Sequence, residues 1–135
     1  MISLIYGPKG TGKTQMAIDG ANAAAETAKG HVLFVADTAK NMYDLKHAVR
    51  FIDVSKFEIQ GGDGLRGFLK GLVAANADNE LIYIDSIKRI TKTELCDLEN
   101  IFVALEKLEN DFDVEFVLTC SGEKETLPAF ITKHI

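Results

Sequence analysis

The chain has 135 residues, of which 47% are hydrophobic and 26% are charged, as in ordinary globular proteins. We expect a single domain over residues 1–135, because this length supports one hydrophobic core. The formal net charge of −5 argues against broad, sequence-independent nucleic-acid binding, although it leaves room for a local basic patch. Because no apolar run is long enough to span a membrane and no secretory leader is recognisable, we expect a cytoplasmic protein with no membrane partner.

A glycine-rich segment follows an apolar strand at residues 2–6 and precedes an alanine-rich helical pattern that extends to residue 28. Its glycines permit positive φ angles and a close approach of backbone N–H groups to an anion. The N-terminus of the following helix attracts the same anion. We therefore predict a phosphate-binding loop in which Lys13 contacts the β- and γ-phosphates and the Thr14 hydroxyl ligates Mg²⁺. The alternative is a glycine-rich turn with an accidental lysine. The predicted nucleotide-binding residues are Gly7, Pro8, Lys9, Gly10, Thr11, Gly12, Lys13 and Thr14.

The first helix and the strand after it form a βαβ unit. Small residues, including Gly20, keep one flank of the helix narrow and predict close packing against a sheet. Gly30 is expected to cap the helix, and the apolar run at residues 32–36 is typical of a strand that is covered on both faces. The two strands should be parallel, with a right-handed connection. Asp37 ends the second strand.

The middle of the chain carries weaker signals. Apolar residues at helical spacing predict a helix over residues 38–50, and residues 56–59 suggest a short extended segment. Asp63 is a plausible N-cap for a further helix, which contains three glycines and is therefore expected to be either mobile or closely packed. The buried face of that helix should carry Leu65, Phe68, Leu69 and Leu72.

A second chemical signal lies at residues 81–86, where an apolar strand ends in Asp85 and Ser86. In a parallel sheet the carboxyl end of this strand lies at the same edge as the phosphate-binding loop. A carboxylate there holds Mg²⁺, usually through water. The alternative is a strand that merely ends in a turn-forming pair.

The last third of the chain predicts one long helix and one strand. Residues 91–94 resemble a capping box that opens the longest helix, which runs to residue 110. The strand at residues 114–119 brings the hydroxyls of Thr119 and Ser121 to the sheet edge, either to contact the γ-phosphate or a water, or as turn residues only. Residues 127–131 are expected to form a short helix or an edge segment.

Cys96 and Cys120 lack metal-binding spacing, which favours small buried thiols.

Together these motifs resemble those of the P-loop NTPases, with residues 7–14 as the Walker A motif and residues 81–85 as the Walker B motif. Within that superfamily the order of residues 57–59, a helix, residues 81–86 and the strand at 116–119 is most similar to the RecA/KaiC-like ATPase branch, in a small stand-alone form. The resemblance implies an α/β fold, a three-layer α/β/α sandwich with a mostly parallel sheet in a minimal or truncated RecA-like form. It also implies that the last strand inserts between the first strand and the Walker B strand.

The departures from these families concern hydrolysis. Ser86 stands where AAA+ proteins normally place the glutamate that activates water, and Asp37 stands at the strand end where RecA-like proteins carry their catalytic glutamate. The resemblance therefore implies Lys13 and Asp37 as the catalytic residues and Thr14 and Asp85 as the metal site. Arg50, Arg66 and Arg89 are the candidates for an arginine finger acting across a subunit boundary.

The leading functional hypothesis is an Mg²⁺-dependent ATP-binding protein with weak ATPase activity. The alternatives are a non-hydrolysing nucleotide-dependent sensor or adaptor, in which ATP orders a segment such as residues 57–71, and a small-molecule kinase of the nucleoside type. The kinase is the least favoured, because the Walker B glutamate and zinc-binding region of that group are absent. No guanine-reading motif is present, which favours ATP over GTP. The expected cofactors are ATP and Mg²⁺, and the expected partners are the nucleotide and either another protein or further copies of this chain.

Overall fold

The computed structural model describes residues 1–135 as five strands and five α-helices. The helices and strands alternate over most of the chain, as the sequence pattern predicts. The strands are β1 (Ser3–Gly7), β2 (His31–Ala36), β3 (Val49–Asp53), β4 (Asn79–Ile84) and β5 (Glu115–Ser121). The helices are α1 (Lys13–Thr27), α2 (Gly61–Ala75), α3 (Ile87–Thr91), α4 (Glu99–Asp111) and α5 (Ala129–Thr132).

The five strands form one sheet in the order β1-β5-β4-β2-β3, and every neighbouring pair is parallel. The last strand thus lies between β1 and β4, which confirms the predicted strand order. Because all strands run the same way, their carboxyl ends share one edge of the sheet. That edge brings together Gly7 at the end of β1, Asp37 after β2 and Asp85 after β4.

Helices cover both faces of the sheet, and each face has its own core. Alternation along β2 sends Val32 and Phe34 towards α1, and Leu33 and Val35 towards the opposite face. Helix α1 covers the first face with a cluster of 8 buried residues, and the other helices cover the second face with a cluster of 22. The predicted three-layer α/β/α arrangement is therefore confirmed.

Helix α1 packs closely on the sheet because its inner flank is small. Ala21 is fully buried, and a Cβ atom placed on Gly20 would lie 2.8 Å from the hydroxyl oxygen of Tyr83 in β4. The expectation that Gly30 caps this helix is wrong: the C-cap is Ala28, in an extended conformation. Gly30 is instead needed where the chain passes Asp78, since an added Cβ would lie 2.2 Å from that residue's carbonyl oxygen.

The predictions of a helix over residues 38–50 and of an extended segment at residues 56–59 are wrong. Residues 38–50 contain one short 3₁₀ turn, Met42–Asp44, followed by the edge strand β3, and residues 56–57 belong to a second 3₁₀ turn, Val54–Phe57. Tertiary contacts override the helical spacing, because the Asn22 side chain on α1 donates to the Asp44 carbonyl at 3.0 Å and accepts from the Lys46 N–H at 2.8 Å. These two bonds hold the segment in an open loop that leads into β3.

Helix α2 packs through its leucines and not through its glycines, since a Cβ added at Gly67 or Gly71 would meet no atom within 4 Å. Leu65 and Leu69 are fully buried against the second face of the sheet, whereas Phe68 and Leu72 are only partly buried. Asp63 is not the N-cap, because the helix begins at Gly61 and Asp63 lies in its first turn.

The capping-box prediction at residues 91–94 is also wrong. Thr91 ends the short helix α3, and its buried hydroxyl donates to the Ile87 carbonyl at 2.8 Å instead of capping a new helix. The next long helix starts only at Glu99 and has 13 residues, two fewer than the 15 of α1 and of α2.

Cys120 is buried as predicted, but Cys96 is exposed. No helix is both long and apolar enough to cross a bilayer.

Candidate functional site

The glycine-rich loop connects β1 to α1 at the carboxyl edge of the sheet. Gly7, Gly10 and Gly12 have φ angles of 152°, 84° and 83°. All three glycines therefore adopt the positive φ angles that the sequence predicts. The Thr11 hydroxyl donates to the Pro8 carbonyl at 2.7 Å and closes the loop on itself. Residues 8–12 are exposed, so the loop presents its backbone to solvent.

The N-terminus of α1 has no cap from its own side chains. Gly12 is the N-cap in the left-handed conformation, no side chain bonds the first amides, and the first turn contains no acidic residue. The first amides of a helix have no intrahelical acceptor, and the helix dipole adds partial positive charge there. The loop and the first turn of α1 thus form an arrangement that can accept an anion such as a phosphate group.

Lys13 supplies a full positive charge at the same place. Its Nζ donates to the Pro8 carbonyl at 2.8 Å, so the ammonium lies against the loop. The charge also reaches Cys120 at the end of β5. Burial raises the pKa of the Cys120 thiol from 9.0 to about 11, and Lys13 partly opposes that rise.

Thr14 and Asp85 meet at the base of the loop. The Thr14 hydroxyl oxygen lies 3.1 Å from both carboxylate oxygens of Asp85, which is itself 2% exposed. One hydroxyl and one carboxylate form the all-oxygen donor set that suits Mg²⁺. The chain has no group of three or more His, Cys, Asp or Glu side chains able to enclose a metal ion. The two residues therefore fit Mg²⁺ that takes its remaining ligands from phosphate oxygens and water.

Thr119 has a structural role that sequence reasoning missed. It is buried inside β5 rather than in a turn, accepts from the Ser86 N–H at 2.7 Å, and donates to Asp85 Oδ1 at 2.7 Å. This relay fixes the carboxylate of Asp85. The signal in the sequence was a hydroxyl directly after the apolar run at residues 116–118, but only the β4–β5 pairing shows which group it contacts.

Asp37 forms an ion pair with Arg89. The Arg89 Nε lies 2.8 and 2.9 Å from the two Asp37 carboxylate oxygens, and its Nη2 lies 3.7 Å from Asp85 Oδ2. Arg89 is thus placed in the same chain's site, not at a distant surface. Of the other finger candidates, Arg50 is exposed on the edge strand β3 and Arg66 pairs with Asp63 in α2.

Two cavities lie at opposite edges of the sheet. A cavity of about 480 Å³ beside Asp37 and Arg89 is also lined by Glu58, Gln60 and Lys92, among others. The larger one, about 540 Å³, lies at the amino ends of the strands and is lined by four carboxylates, Glu80, Glu109, Asp113 and Glu115. Clustered negative charge disfavours a phosphate there. The smaller cavity shares Asp37 and Arg89 with the candidate site, but no residue of the loop at 7–14 lines it.

Comparisons with known proteins concern the fold. No protein-family profile matches the sequence, and no curated protein sequence matches it significantly. A solved structure of a KaiC-like protein from the hyperthermophilic archaeon Pyrococcus horikoshii superposes with a TM-score of 0.63 at 18% identity, over 98% of this chain. The fold is RecA-like. The chain spans 66% of the length of that KaiC-like protein.

The fold indicates where a ligand would bind. In open parallel sheets the crevice at the carboxyl ends of the strands is where ligands bind. This chain places Gly7, Thr14, Asp37, Asp85 and the contacting Arg89 at that edge.

Proposed function

We propose that this chain binds Mg²⁺-ATP at the loop of residues 7–14 and hydrolyses it slowly. The observation that carries the proposal is the meeting of the Thr14 hydroxyl and the Asp85 carboxylate, 3.1 Å apart, at the uncapped N-terminus of α1. A glycine turn with an accidental lysine gives no reason for a buried carboxylate from another strand to contact that helix.

Each residue of the site has a role that follows from its chemistry. The backbone N–H groups of residues 9–14 would surround the phosphates, since Pro8 has no N–H to donate. Lys13 would add a mobile point charge at their β/γ end. Thr14 and Asp85 hold the metal, with Asp85 acting through water. Bound Mg²⁺ supplies charge neutralisation on the phosphate oxygens. The ribose and base lie outside these contacts, and the preference for ATP over GTP rests on the absence of a guanine-reading motif.

Slow turnover is expected because Asp37, the carboxylate assigned to orient the attacking water, is already paired with Arg89. Asp37 has a shorter side chain than glutamate, and both of its oxygens accept from Arg89 Nε at 2.8 and 2.9 Å. Phosphoryl transfer depends on positioning and charge stabilisation, so a weakly oriented water costs orders of magnitude in rate.

The test compares the wild-type chain with Lys13→Ala and with Lys70→Ala, which removes an exposed lysine on α2 away from the site. Binding of a fluorescent ATP analogue with Mg²⁺ should weaken at least about tenfold in Lys13→Ala and remain unchanged in Lys70→Ala. Equal affinity of all three proteins would refute the assigned role of the loop. GTP and ATP added as competitors measure the base preference.

Phosphate release over a range of protein concentrations addresses hydrolysis and assembly. A rate per chain that is constant with concentration and lost in Lys13→Ala indicates an ATPase that is complete in one chain. A rate per chain that rises with concentration indicates that a second copy contributes to the site.

The second candidate is a non-hydrolysing nucleotide sensor, which the Asp37–Arg89 ion pair favours because it occupies the water-orienting carboxylate. Nucleotide binding without Lys13-dependent phosphate release would select it. Helix α2 in the segment at residues 57–71 packs through Leu65 and Leu69, whereas Phe57 at the start of that segment is exposed. A sensor should show hydrogen exchange that differs between the ATP and ADP states in this segment and near Asp37 and Arg89. Phosphorylation of added nucleosides would instead support the kinase hypothesis.

A further inference from the structure

Arg89 is placed by the chain segment that follows Asp85. Ser86 has a positive φ of 62°, which turns the backbone directly from the end of β4 into α3. Arg89 comes four residues after Asp85, about one helical turn, so its side chain returns towards the carboxyl edge of the sheet. Its position is therefore fixed by the same strand that carries the candidate metal site.

The Arg89 guanidinium contacts two carboxylates that come from adjacent strands. Its Nε donates to Asp37 after β2, and its Nη2 lies 3.7 Å from Asp85 Oδ2 after β4. The Asp85 side chain is 3% exposed and is fixed by Thr14 and Thr119, whereas the Arg89 side chain is 53% exposed. In this cluster the guanidinium is therefore far more exposed to solvent than the Asp85 carboxylate.

We propose that Arg89 is a built-in cation that competes with the divalent metal for Asp85 and holds Asp37 in position. The part of this proposal that concerns nucleotide rests on the proposed function, and the part that concerns the metal ion rests only on its assignment of Thr14 and Asp85 as the metal site. Arg89 acts on the site through Asp37 and Asp85, so it is a positioning residue.

The direction in which metal and nucleotide affinities change when Arg89 loses its charge distinguishes this role from a purely structural one. Arg89 repels a divalent cation at Asp85 and attracts an anion bound at the neighbouring N-terminus of α1. Loss of its charge should therefore strengthen metal binding and weaken the binding of nucleotide without metal. A residue that only maintained the fold would weaken both when it was removed.

The experiment uses Arg89→Gln, which removes the charge, and Arg89→Lys, which keeps it. The control is Arg66→Gln, which breaks the ion pair of 3.0 Å with Asp63 on α2. Mn²⁺ alone is titrated by electron paramagnetic resonance, and a fluorescent ATP analogue is titrated in EDTA. Circular dichroism checks that each variant is folded.

For Arg89→Gln we expect a Mn²⁺ dissociation constant about two- to fivefold lower than that of the wild type, and a similar factor of weakening for the nucleotide in EDTA. Arg89→Lys should stay close to the wild type, and Arg66→Gln should match it in both titrations. Unchanged or weaker Mn²⁺ binding by Arg89→Gln, no Mn²⁺ binding by any variant, or an equal effect of Arg66→Gln would overturn the proposal. If no protein, wild type included, bound nucleotide with or without Mg²⁺, the proposed function would fail while the Mn²⁺ titration still decided the role of Arg89.

Discussion

The Thr14 hydroxyl oxygen lies 3.1 Å from both carboxylate oxygens of Asp85, although 71 positions separate the two residues in the sequence. Thr14 belongs to the first turn of α1, and Asp85 follows the end of β4. The two residues do not belong to the same secondary-structure element. The parallel order of β1, β5 and β4 brings them together, because each of these strands ends at the same edge.

This contact predicts how Thr14 variants behave. Thr14→Ala removes the hydroxyl and should lower the affinity for Mg²⁺ in the presence of nucleotide by about ten- to a hundredfold, with little change in the fold. Thr14→Ser retains the oxygen and should recover most of that affinity. The measurement is an Mg²⁺ titration of fluorescent-nucleotide binding, and equal Mg²⁺ dependence of the Ala and Ser variants would contradict the assignment of the metal site.

Thr119 should matter for stability as well as for the site. Thr119→Val keeps the shape of the side chain but leaves the Ser86 N–H and one Asp85 oxygen without their shared partner. We expect the free energy of unfolding to fall by about 1–3 kcal/mol, measured by urea denaturation. Thr119→Ser loses only a methyl group and keeps the hydroxyl, so it should be clearly more stable than the Val variant. The reverse order would show that packing, not the relay, is the main contribution.

Two helix glycines offer a matched test of how α1 lies on the sheet. Gly20→Ala should destabilise the protein by about 1–3 kcal/mol, because its Cβ would lie 2.8 Å from the Tyr83 hydroxyl. Gly67→Ala on α2 meets no atom within 4 Å and should stabilise it by up to about 1 kcal/mol. Thermal unfolding measures both.

A double variant identifies the cause of the Gly20 effect. Tyr83→Phe removes the hydroxyl oxygen that an added Cβ would meet, so the substitution Gly20→Ala should cost less in the Tyr83→Phe background than in the wild type. An equal cost in both backgrounds would place the obstacle elsewhere.

Alkaline pH should destabilise the folded chain through Cys120. Burial raises the pKa of its thiol from 9.0 to about 11, so between these values the unfolded chain loses a proton that the folded chain keeps. The free energy of unfolding is therefore unaffected by this group below about pH 9 and falls as pH rises towards 11. Burial also raises the pKa of Tyr83, which acts in the same direction at higher pH.

Cys120→Ala isolates that contribution. The variant should lose part of the pH dependence between 9 and 11, even if its stability at neutral pH is lower. Alkylation gives a second measurement: the exposed Cys96 should react in the folded protein, whereas Cys120 should react only on unfolding. Equal rates for both thiols in the folded protein would contradict the burial of Cys120.

Local patterns predicted the elements that depend on local chemistry. The glycines of the loop, the apolar runs of β2 and β4 and the small flank of α1 each have a physical signature within a few residues. The wrong predictions share a different cause. The helix expected over residues 38–50 fails because Asn22 binds the backbone at Asp44 and Lys46, and the capping box at 91–94 fails because Thr91 ends α3 and is buried.

The sequence by itself determined the α/β class, the loop of residues 7–14 and an aspartate at the end of an apolar strand, because these follow from backbone freedom and hydrophobic periodicity. Only the tertiary structure decided that Thr119 fixes Asp85 and that Arg89 pairs with Asp37. Those contacts join residues 34 and 52 positions apart, and their geometry follows from strand order and the turn at Ser86. Strand neighbours are chosen by the packing of the whole sheet, and no short stretch of sequence contains that information.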